Sequence, residues 1–264
     1  MGLGHETWIF SSIKPVCELC SLIAENRFNF CIRIIYRLSQ YYPMLISIEE
    51  IGLATILFIW IVILTRFLTK SLYEILVRRG VKERVAIYYN RKIIHMLAGG
   101  LVAILVPFYF KTPLIPFILA MILAAFSYIP YRTGKLFYWY QVPENMYDVH
   151  FCVMWGVCLA AGWLLTGNPW FGVLPIIFMS FGDAITGIVR NTLFKRRTKS
   201  WWGNLAMATV TIPIGAWIFG AVGAGIAALC SIIEHYEFGM IDDNITVPLA
   251  ALTILLILNP VPNI

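Results

Sequence analysis

The chain has 264 residues, of which 60% are hydrophobic and only 13% are charged. Soluble domains carry about twice that share of charged residues, so the composition excludes a soluble protein and indicates an integral membrane protein. The formal charge of +6 does not indicate nucleic-acid binding. The basic residues lie between apolar segments, where they set topology and contact anionic lipid headgroups.

Residues 1–47 are predicted to form a separate N-terminal segment. Arg33 and Arg37 share one face of a predicted helix whose other face is apolar. This amphipathic pattern favours a segment that lies on the membrane surface over one that spans it. Residues 1–15 contain Glu6, Lys14 and Pro15 without an adequate apolar core, so no cleavable signal peptide is predicted.

The six cysteines do not indicate a metal centre. Cys17 and Cys20 form a Cys-x-x-Cys pair, but no second pair or histidine cluster follows, so a zinc site is not favoured. Cys152, Cys158 and Cys230 lie in apolar segments, where they are expected to pack as small hydrophobic side chains.

Residues 48–264 are predicted to form one all-α domain, a polytopic transmembrane bundle. Apolar stretches near the 20 residues that span a bilayer recur there without a linker or a change in composition. The predicted spans are Ile48–Leu68, Ile93–Phe110, Pro113–Pro130, Val149–Thr166, Pro169–Val189, Gly203–Phe219, Ala221–Ile233 and a shorter last segment, Thr246–Leu258. There are therefore about eight spanning helices, or seven if the last segment is re-entrant.

The loops predict the orientation. Most basic residues lie in three alternate loops, within residues 69–92, 131–146 and 190–200, whereas the opposite loops are short. The positive-inside rule places the basic loops in the cytoplasm. This leaves the N-terminal segment outside despite its own basic residues, which a further membrane element there would reconcile.

Four groups of polar residues converge on this cytoplasmic face. The first is Arg91-Lys92-Ile93-Ile94-His95, which opens the second span. Arg91 and His95 share a helix face, since they are four residues apart. The basic pair is typical of a topology anchor. His95 lies one turn deeper, where a packed, hydrogen-bonded histidine and a phosphate contact are both open interpretations.

Asp183 is the second group, and it lies inside an apolar segment. It shares a helix face with Thr186, Gly187 and Arg190. An ionisable residue within a span indicates a functional site by default. The alternative is a structural pair between Asp183 and Arg190 or a lysine of another helix. Gly182 and Gly187 leave room for a backbone or a ligand to approach closely.

The remaining groups are Lys199-Ser200-Trp201-Trp202-Gly203-Asn204 and Asp242-Asp243-Asn244. Lys199 could neutralise a phosphate, and Ser200 could bind the phosphate or cap the next helix. The tryptophans also suit a membrane interface. Adjacent acids and an asparagine that open an apolar helix could bind Mg²⁺, which takes oxygen ligands together with phosphate. They could equally be solvated loop residues.

These motifs, in this order, resemble the dolichol kinase / phytol kinase family of polytopic enzymes. The resemblance covers about residues 91–258. Arg91-Lys92-Ile93-Ile94-His95 is similar to the family's Arg-Lys-x-x-His, Gly182-Asp183-Ala184 to its Gly-Asp motif, and residues 199–207 to its Lys-Ser-x-x-Gly-(Ser/Asn)-x-Ala-Met segment. Asp243-Asn244-Ile245-Thr246-Val247-Pro248 resembles its Asp-Asn-hydrophobic-Thr-Val-Pro ending.

The resemblance implies a kinase that phosphorylates a long-chain isoprenoid alcohol such as dolichol, phytol or geranylgeraniol, with CTP as the usual donor and a divalent cation such as Mg²⁺. Asp183 and Asp243 would be catalytic, and Asp183, Asp242 and Asp243 would bind the metal. The nucleotide would contact residues drawn from all four motifs: Arg91, Lys92, His95, Gly182, Gly187, Arg190, Lys199, Ser200, Gly203, Asn204 and Asn244.

The chain departs from the family pattern at three positions. Arg190 and Phe194 stand where relatives often have glycine, and Trp202 stands where several have glutamate. Two other functions remain open. A CTP-dependent phospholipid cytidylyltransferase has a related pattern of acids and a basic loop, but it releases pyrophosphate. A non-catalytic transporter or structural membrane protein would show no turnover.

Overall fold

The computed structural model describes residues 47–194, 198–236 and 242–264. The predicted N-terminal segment at 1–47, with Cys17 and Cys20, lies outside the described residues apart from Ser47. Within the described part the chain forms helices and no β-strand. These helices, α1 to α7, are Ile48–Arg78, Glu83–Tyr109, Leu114–Thr133, Tyr147–Thr166, Trp170–Phe194, Trp201–Ile233 and Asp243–Leu258.

The predicted all-α polytopic fold is confirmed. Among the described residues, α1 to α6 are the six helices long and apolar enough to cross a membrane, and α7 is a shorter apolar helix. Helix α5 is the centre of the bundle, since every residue of Trp170–Ile177 is buried. A helix that is apolar on all sides belongs in such an interior position. The buried cysteines Cys158 and Cys230 pack in this core, as predicted.

Helix α6 folds back on itself at Phe219 and Gly220, whose backbone torsions are not helical. Gly220 has a φ of 57°, which glycine adopts without steric cost. Asn204 and Ser231 would lie about 40 Å apart in a straight helix, yet the Asn204 side chain donates a hydrogen bond to the Ser231 carbonyl. The two arms therefore run antiparallel, in agreement with the two separate spans predicted there.

Helices α1 and α2 extend beyond the predicted spans. Helix α1 continues past Leu68 to Arg78, and α2 begins at Glu83, before Ile93. Hydropathy marks only the part of a helix that lies in hydrocarbon. The polar extensions are held together by a second buried cluster, in which Tyr73 and Ala86 pack with Trp139 and Tyr140. These extensions carry the first basic loop.

The arms of α6 approach each other at Gly215 and Gly223. A side chain on Gly223 would overlap the backbone of Gly215, whereas Gly225, on the same arm, has open space around it. Small residues at helix contacts permit this close approach. We expect Gly223→Ala to lower the free energy of unfolding by about 1–3 kcal/mol, since overpacking forces the backbones apart.

Gly225→Ala is the matched control for this prediction. It should leave the free energy of unfolding unchanged or raise it by up to about 1 kcal/mol, because alanine has a higher helix propensity than glycine. Thermal unfolding in detergent measures both variants. Equal melting temperatures for the two variants would contradict the close contact between the arms.

Candidate active site

The four predicted groups meet at one face of the bundle. Lys92 of α2 contacts Asp183 of α5, and Lys199, which precedes α6, contacts Asp243 at the start of α7. Residues from the interior of α2 and α5 and from the ends of α6 and α7 thus surround one polar site. The site lies on the same face as the basic loops, and its cytoplasmic orientation remains a prediction.

Asp183 is buried and binds two basic side chains of α2. Lys92 Nζ donates to Asp183 Oδ1, and His95 Nδ1 lies 3.1 Å from Asp183 Oδ2. A wide π-helical turn begins at His95 in α2, and another, Phe178–Gly182, ends directly before Asp183. Such turns are frequent at functional sites. Of the two structural partners considered for Asp183, the structure supports the lysine of another helix.

Two of the predicted glycines make room for basic side chains. A side chain on Gly187 would overlap Lys92 and Tyr88, and one on Gly203 would overlap Arg190. These glycines therefore let Lys92 and Arg190 cross to their carboxylate partners. Gly182 instead faces the side chain of Met207. In the described residues all three glycines contact protein side chains, so their direct contact with a nucleotide remains a prediction.

Arg190 is buried and locks α5 to both ends of α6. Its guanidinium donates to both carboxylate oxygens of Glu234 at 2.8 Å. It also donates to Asn204 Oδ1 at 2.8 Å and to the Ser200 carbonyl at 2.9 Å. This bidentate geometry suits arginine and cannot be reproduced by lysine. Glu234, which was not predicted as a site residue, is therefore central to the cluster.

Lys199 joins the remaining acids. Its Nζ lies 3.1 Å from Glu234 Oε1 and 3.2 Å from Asp243 Oδ2. Asp183, Glu234 and Asp243 can each offer one oxygen so that all three oxygens lie within 4.8 Å of one another. This is a set of hard oxygen ligands of the kind that holds Mg²⁺. The three acids are balanced by three cations, Lys92, Arg190 and Lys199.

Glu234 has an unusual environment for a carboxylate. Burial, with the charge of Asp243, raises the pKa of Glu234 to about 7, although Lys199 and Arg190 act in the opposite direction. A pKa near neutrality in a buried charge cluster is typical of functional sites, and structural ion pairs also produce it. The protonation state of Glu234 therefore depends on the positions of the neighbouring cations.

Asp242 lies apart from this group of three acids. Its Oδ2 contacts His150 Nδ1 at 3.1 Å, and Asp242 is absent from the set of carboxylates that converge. Burial and the adjacent Asp243 raise the pKa of Asp242 to about 6, against the effect of His150 and Arg91. The predicted metal ligand Asp242 is thus placed beside the cluster, and Glu234 takes its place in the group of three.

The other predicted residues surround this cluster. Asn204 bridges Arg190, Ser231 and Glu234. Ser200 is at the N-cap of α6, but its side chain makes no capping hydrogen bond, and its Oγ has no partner among the described residues. Asn244 is fully buried, and within the same part of the chain its Oδ1 also lacks a partner. Oxygens without partners near a charged cluster are available to a ligand.

Arg91 separates two cavities. Its guanidinium lies 3.9 Å from the centre of the Tyr147 ring. On one side is a small polar pocket of about 20 Å³ lined by Lys92, Arg190, Lys199, Glu234 and Asp243. On the other side is an apolar cavity of about 290 Å³ between α1, α2, α3 and α4. Sequence reasoning missed this cavity, because apolar residues that line a cavity and those that face lipid give the same pattern.

The positions that depart from the family pattern fall in different places. Arg190 lies at the centre of the cluster, whereas Phe194 and Trp202 are exposed. Trp202, which replaces the acid of several relatives, is 61% exposed and so lies outside the buried carboxylate group. The acids near the site come instead from α5, the end of α6 and the start of α7.

Comparison with known proteins gives one informative similarity. The chain is 29% identical over 179 residues to a phytol kinase from Synechocystis sp. (strain ATCC 27184 / PCC 6803 / Kazusa), a match that covers 61% of this chain and 76% of that protein. No protein-family model matches the chain, and no solved structure matches it. The relative supports the resemblance that the four motifs indicated.

Proposed function

We propose that this protein is an integral membrane kinase that transfers a phosphoryl group from a nucleoside triphosphate to a long-chain isoprenoid alcohol. The observation that carries the proposal is the position of Arg91, which lines both the apolar cavity and the pocket of acids and cations. A lipid hydroxyl and a phosphate can therefore meet beside one guanidinium. Similarity to a phytol kinase agrees with this reaction.

The apolar cavity suits the lipid tail. Its walls include Leu57, Val102, Leu119 and Trp155, and it lies among helices that are apolar enough to cross the membrane. Phe126 also lines the cavity and is half exposed. A tail longer than the cavity could therefore continue past Phe126 into the surrounding lipid.

The polar pocket suits the phosphates of the donor. A volume of about 20 Å³ holds little more than one water molecule, because ion pairs within the protein fill the pocket. Lys199 would exchange Glu234 and Asp243 for phosphate oxygens when the donor binds, and Arg91, which stacks on Tyr147, would add a second cation. Phosphoryl transfer depends mainly on positioning and on neutralising charge, and both side chains supply positive charge beside the cavity that would hold the hydroxyl.

The residues fit a divalent cation. Asp183, Glu234 and Asp243 would hold it through one oxygen each, since these oxygens already lie within 4.8 Å of one another. When bound, Mg²⁺ would offset the negative charge of the phosphates. Lys92 and His95 would keep Asp183 oriented toward the pocket. We include CTP in the proposal as the donor, on the strength of the motif resemblance.

Purified protein with labelled CTP or ATP and a panel of alcohols tests the proposal. The panel includes farnesol, geranylgeraniol, phytol, dolichol and diacylglycerol. Label from the terminal phosphate should appear on a prenol, with release of the nucleoside diphosphate. Removal of divalent cations with EDTA should abolish transfer, and Mg²⁺ should restore it. Pyrophosphate released from CTP in the presence of a lipid phosphate would contradict the proposal and support a cytidylyltransferase.

A further inference from the structure

Asp148 is an acidic side chain at the polar end of the apolar cavity. It lies on α4, one residue after Tyr147, whose ring stacks against Arg91. Phe151, Cys152 and Trp155 follow it along the same cavity-lining face of α4. Asp148 belongs to none of the four sequence motifs, and the three converging carboxylates do not include it.

The carboxylate of Asp148 is held by neutral hydrogen-bond donors. Tyr131 Oη donates to Asp148 Oδ1 at 2.8 Å, and Gln141 Nε2 donates to Asp148 Oδ2 at 2.6 Å. Gln141 is buried and is itself fixed, since it donates to the Ser127 carbonyl and accepts from the backbone N–H of Phe137. Asp148 is therefore oriented before any ligand binds.

Asp148 has no ion pair in the part of the chain that the structure describes. Its two oxygens offer about four acceptor sites, of which Tyr131 and Gln141 occupy two. A carboxylate that faces an apolar cavity is costly unless it is hydrogen-bonded. The remaining acceptor sites favour a ligand with an apolar body and a hydrogen-bond donor at its end.

We propose that Asp148 accepts a hydrogen bond from the hydroxyl group of a lipid alcohol whose tail occupies the apolar cavity. This inference rests on the proposed lipid-alcohol substrate and adds a binding residue to it. An ether or an aldehyde of the same tail lacks the donor. The cavity should therefore select alcohols over these analogues.

Competition binding without nucleotide tests this selection. Radiolabelled geranylgeraniol is bound to the purified protein in detergent micelles and is displaced by unlabelled geranylgeraniol or by its methyl ether at equal mole fractions. Hydrogen bonds to charged groups are stronger than neutral ones, so the wild type should bind the alcohol about tenfold more tightly than the ether. Asp148→Asn should reduce this preference to about twofold or less, mainly by weakening binding of the alcohol.

Glu144→Gln is the matched control. Glu144 is exposed, lies near the same face of the bundle and pairs only with the exposed Arg84 among the described residues. This variant should keep the wild-type preference for the alcohol. Thermal unfolding shows whether Asp148→Asn remains folded. Tyr131→Phe, which retains the carboxylate but removes one of its donors, provides a second variant and should reduce the preference partly.

The outcomes separate this inference from the proposed kinase activity. A preference for alcohol that survives in folded Asp148→Asn overturns the role of Asp148, even if the protein phosphorylates prenols. A preference that depends on Asp148 supports that role, even if no nucleotide donates a phosphoryl group. In the latter case the kinase proposal fails and the alcohol-binding cavity stands.

Discussion

The Asp183→Asn variant is expected to transfer phosphoryl groups at least about a hundredfold to a thousandfold more slowly than the wild type, the usual effect of removing one preorganised electrostatic group. Asp183 provides one of the three converging oxygens and also holds Lys92 and His95. Asparagine has nearly the same shape but lacks the charge. Its amide would also present a donor toward the Lys92 or His95 side chain, which would displace one of them.

Ser180→Ala is the control for the Asp183 variant. Ser180 lies one helical turn earlier in α5 and is fully buried, and its Oγ has no hydrogen-bond partner in the part of the chain that the structure describes. Removing this hydroxyl should leave transfer within about twofold of the wild type, because no hydrogen bond is lost. Initial rates of label transfer to the prenol measure both variants, and gel filtration shows whether each is folded. Near-normal transfer by Asp183→Asn would remove Asp183 from the proposed mechanism.

The helical bundle could be predicted from the sequence because every spanning helix carries the same signal. A spanning helix requires a long apolar stretch, and such stretches stand out at any position in the chain. The turn within α6 could also be predicted, since Gly220 separates two apolar runs and adopts the positive φ that glycine permits. The extensions of α1 and α2 could not be predicted, because outside the hydrocarbon their polar residues resemble a loop.

The side chains that meet in the site were harder to predict. Asp242 and Asp243 are adjacent, and nothing in their sequence tells which one faces Lys199. In the structure Asp243 contacts Lys199, whereas Asp242 contacts His150. A shift of one residue in where α7 begins would place Asp242 in the position of Asp243, since successive helical residues point about 100° apart.

Glu234 could not be predicted as a site residue from the sequence. It follows the last apolar residue of α6, where an acid usually remains in water. Its burial depends on the return of α6 toward Asn204 and on the reach of Arg190 from α5. Each of these contacts joins residues far apart in the chain. Arg190 could be predicted as a site residue because it shares a helix face with Asp183, but its partner could be identified only from the tertiary structure.

Arg190→Met is expected to lower the free energy of unfolding by about 3 kcal/mol, the lower end of the cost of breaking a buried ion pair, since Glu234 keeps its contact with Lys199. Glu234 would lose two hydrogen bonds to the guanidinium, and Asn204 and the Ser200 carbonyl would lose one each. The loss should be larger at pH 8 than at pH 6. Burial already raises the pKa of Glu234 to about 7, and removing Arg190 raises it further. The folded variant therefore binds a proton that the unfolded chain releases, and its stability falls as pH rises.

A second substitution tests whether the ion pair is the cause. Arg190→Met combined with Glu234→Gln also removes the carboxylate that lost the guanidinium. We expect the double variant to recover about 1–3 kcal/mol of the lost stability, as coupled neighbours do. Denaturant titration in detergent at both pH values measures the free energy of unfolding of the wild type, the two single variants and the double variant. The double variant should also lose the additional pH dependence of Arg190→Met, since residue 234 no longer titrates. Phosphoryl transfer should remain impaired after stability returns, because the pocket then lacks one carboxylate and one cation.

Two outcomes would contradict these expectations. If the losses of stability in Arg190→Met and in Glu234→Gln add up to the loss in the double variant, Arg190 and Glu234 are not coupled. Recovery of transfer together with stability would show that the pair serves only the fold.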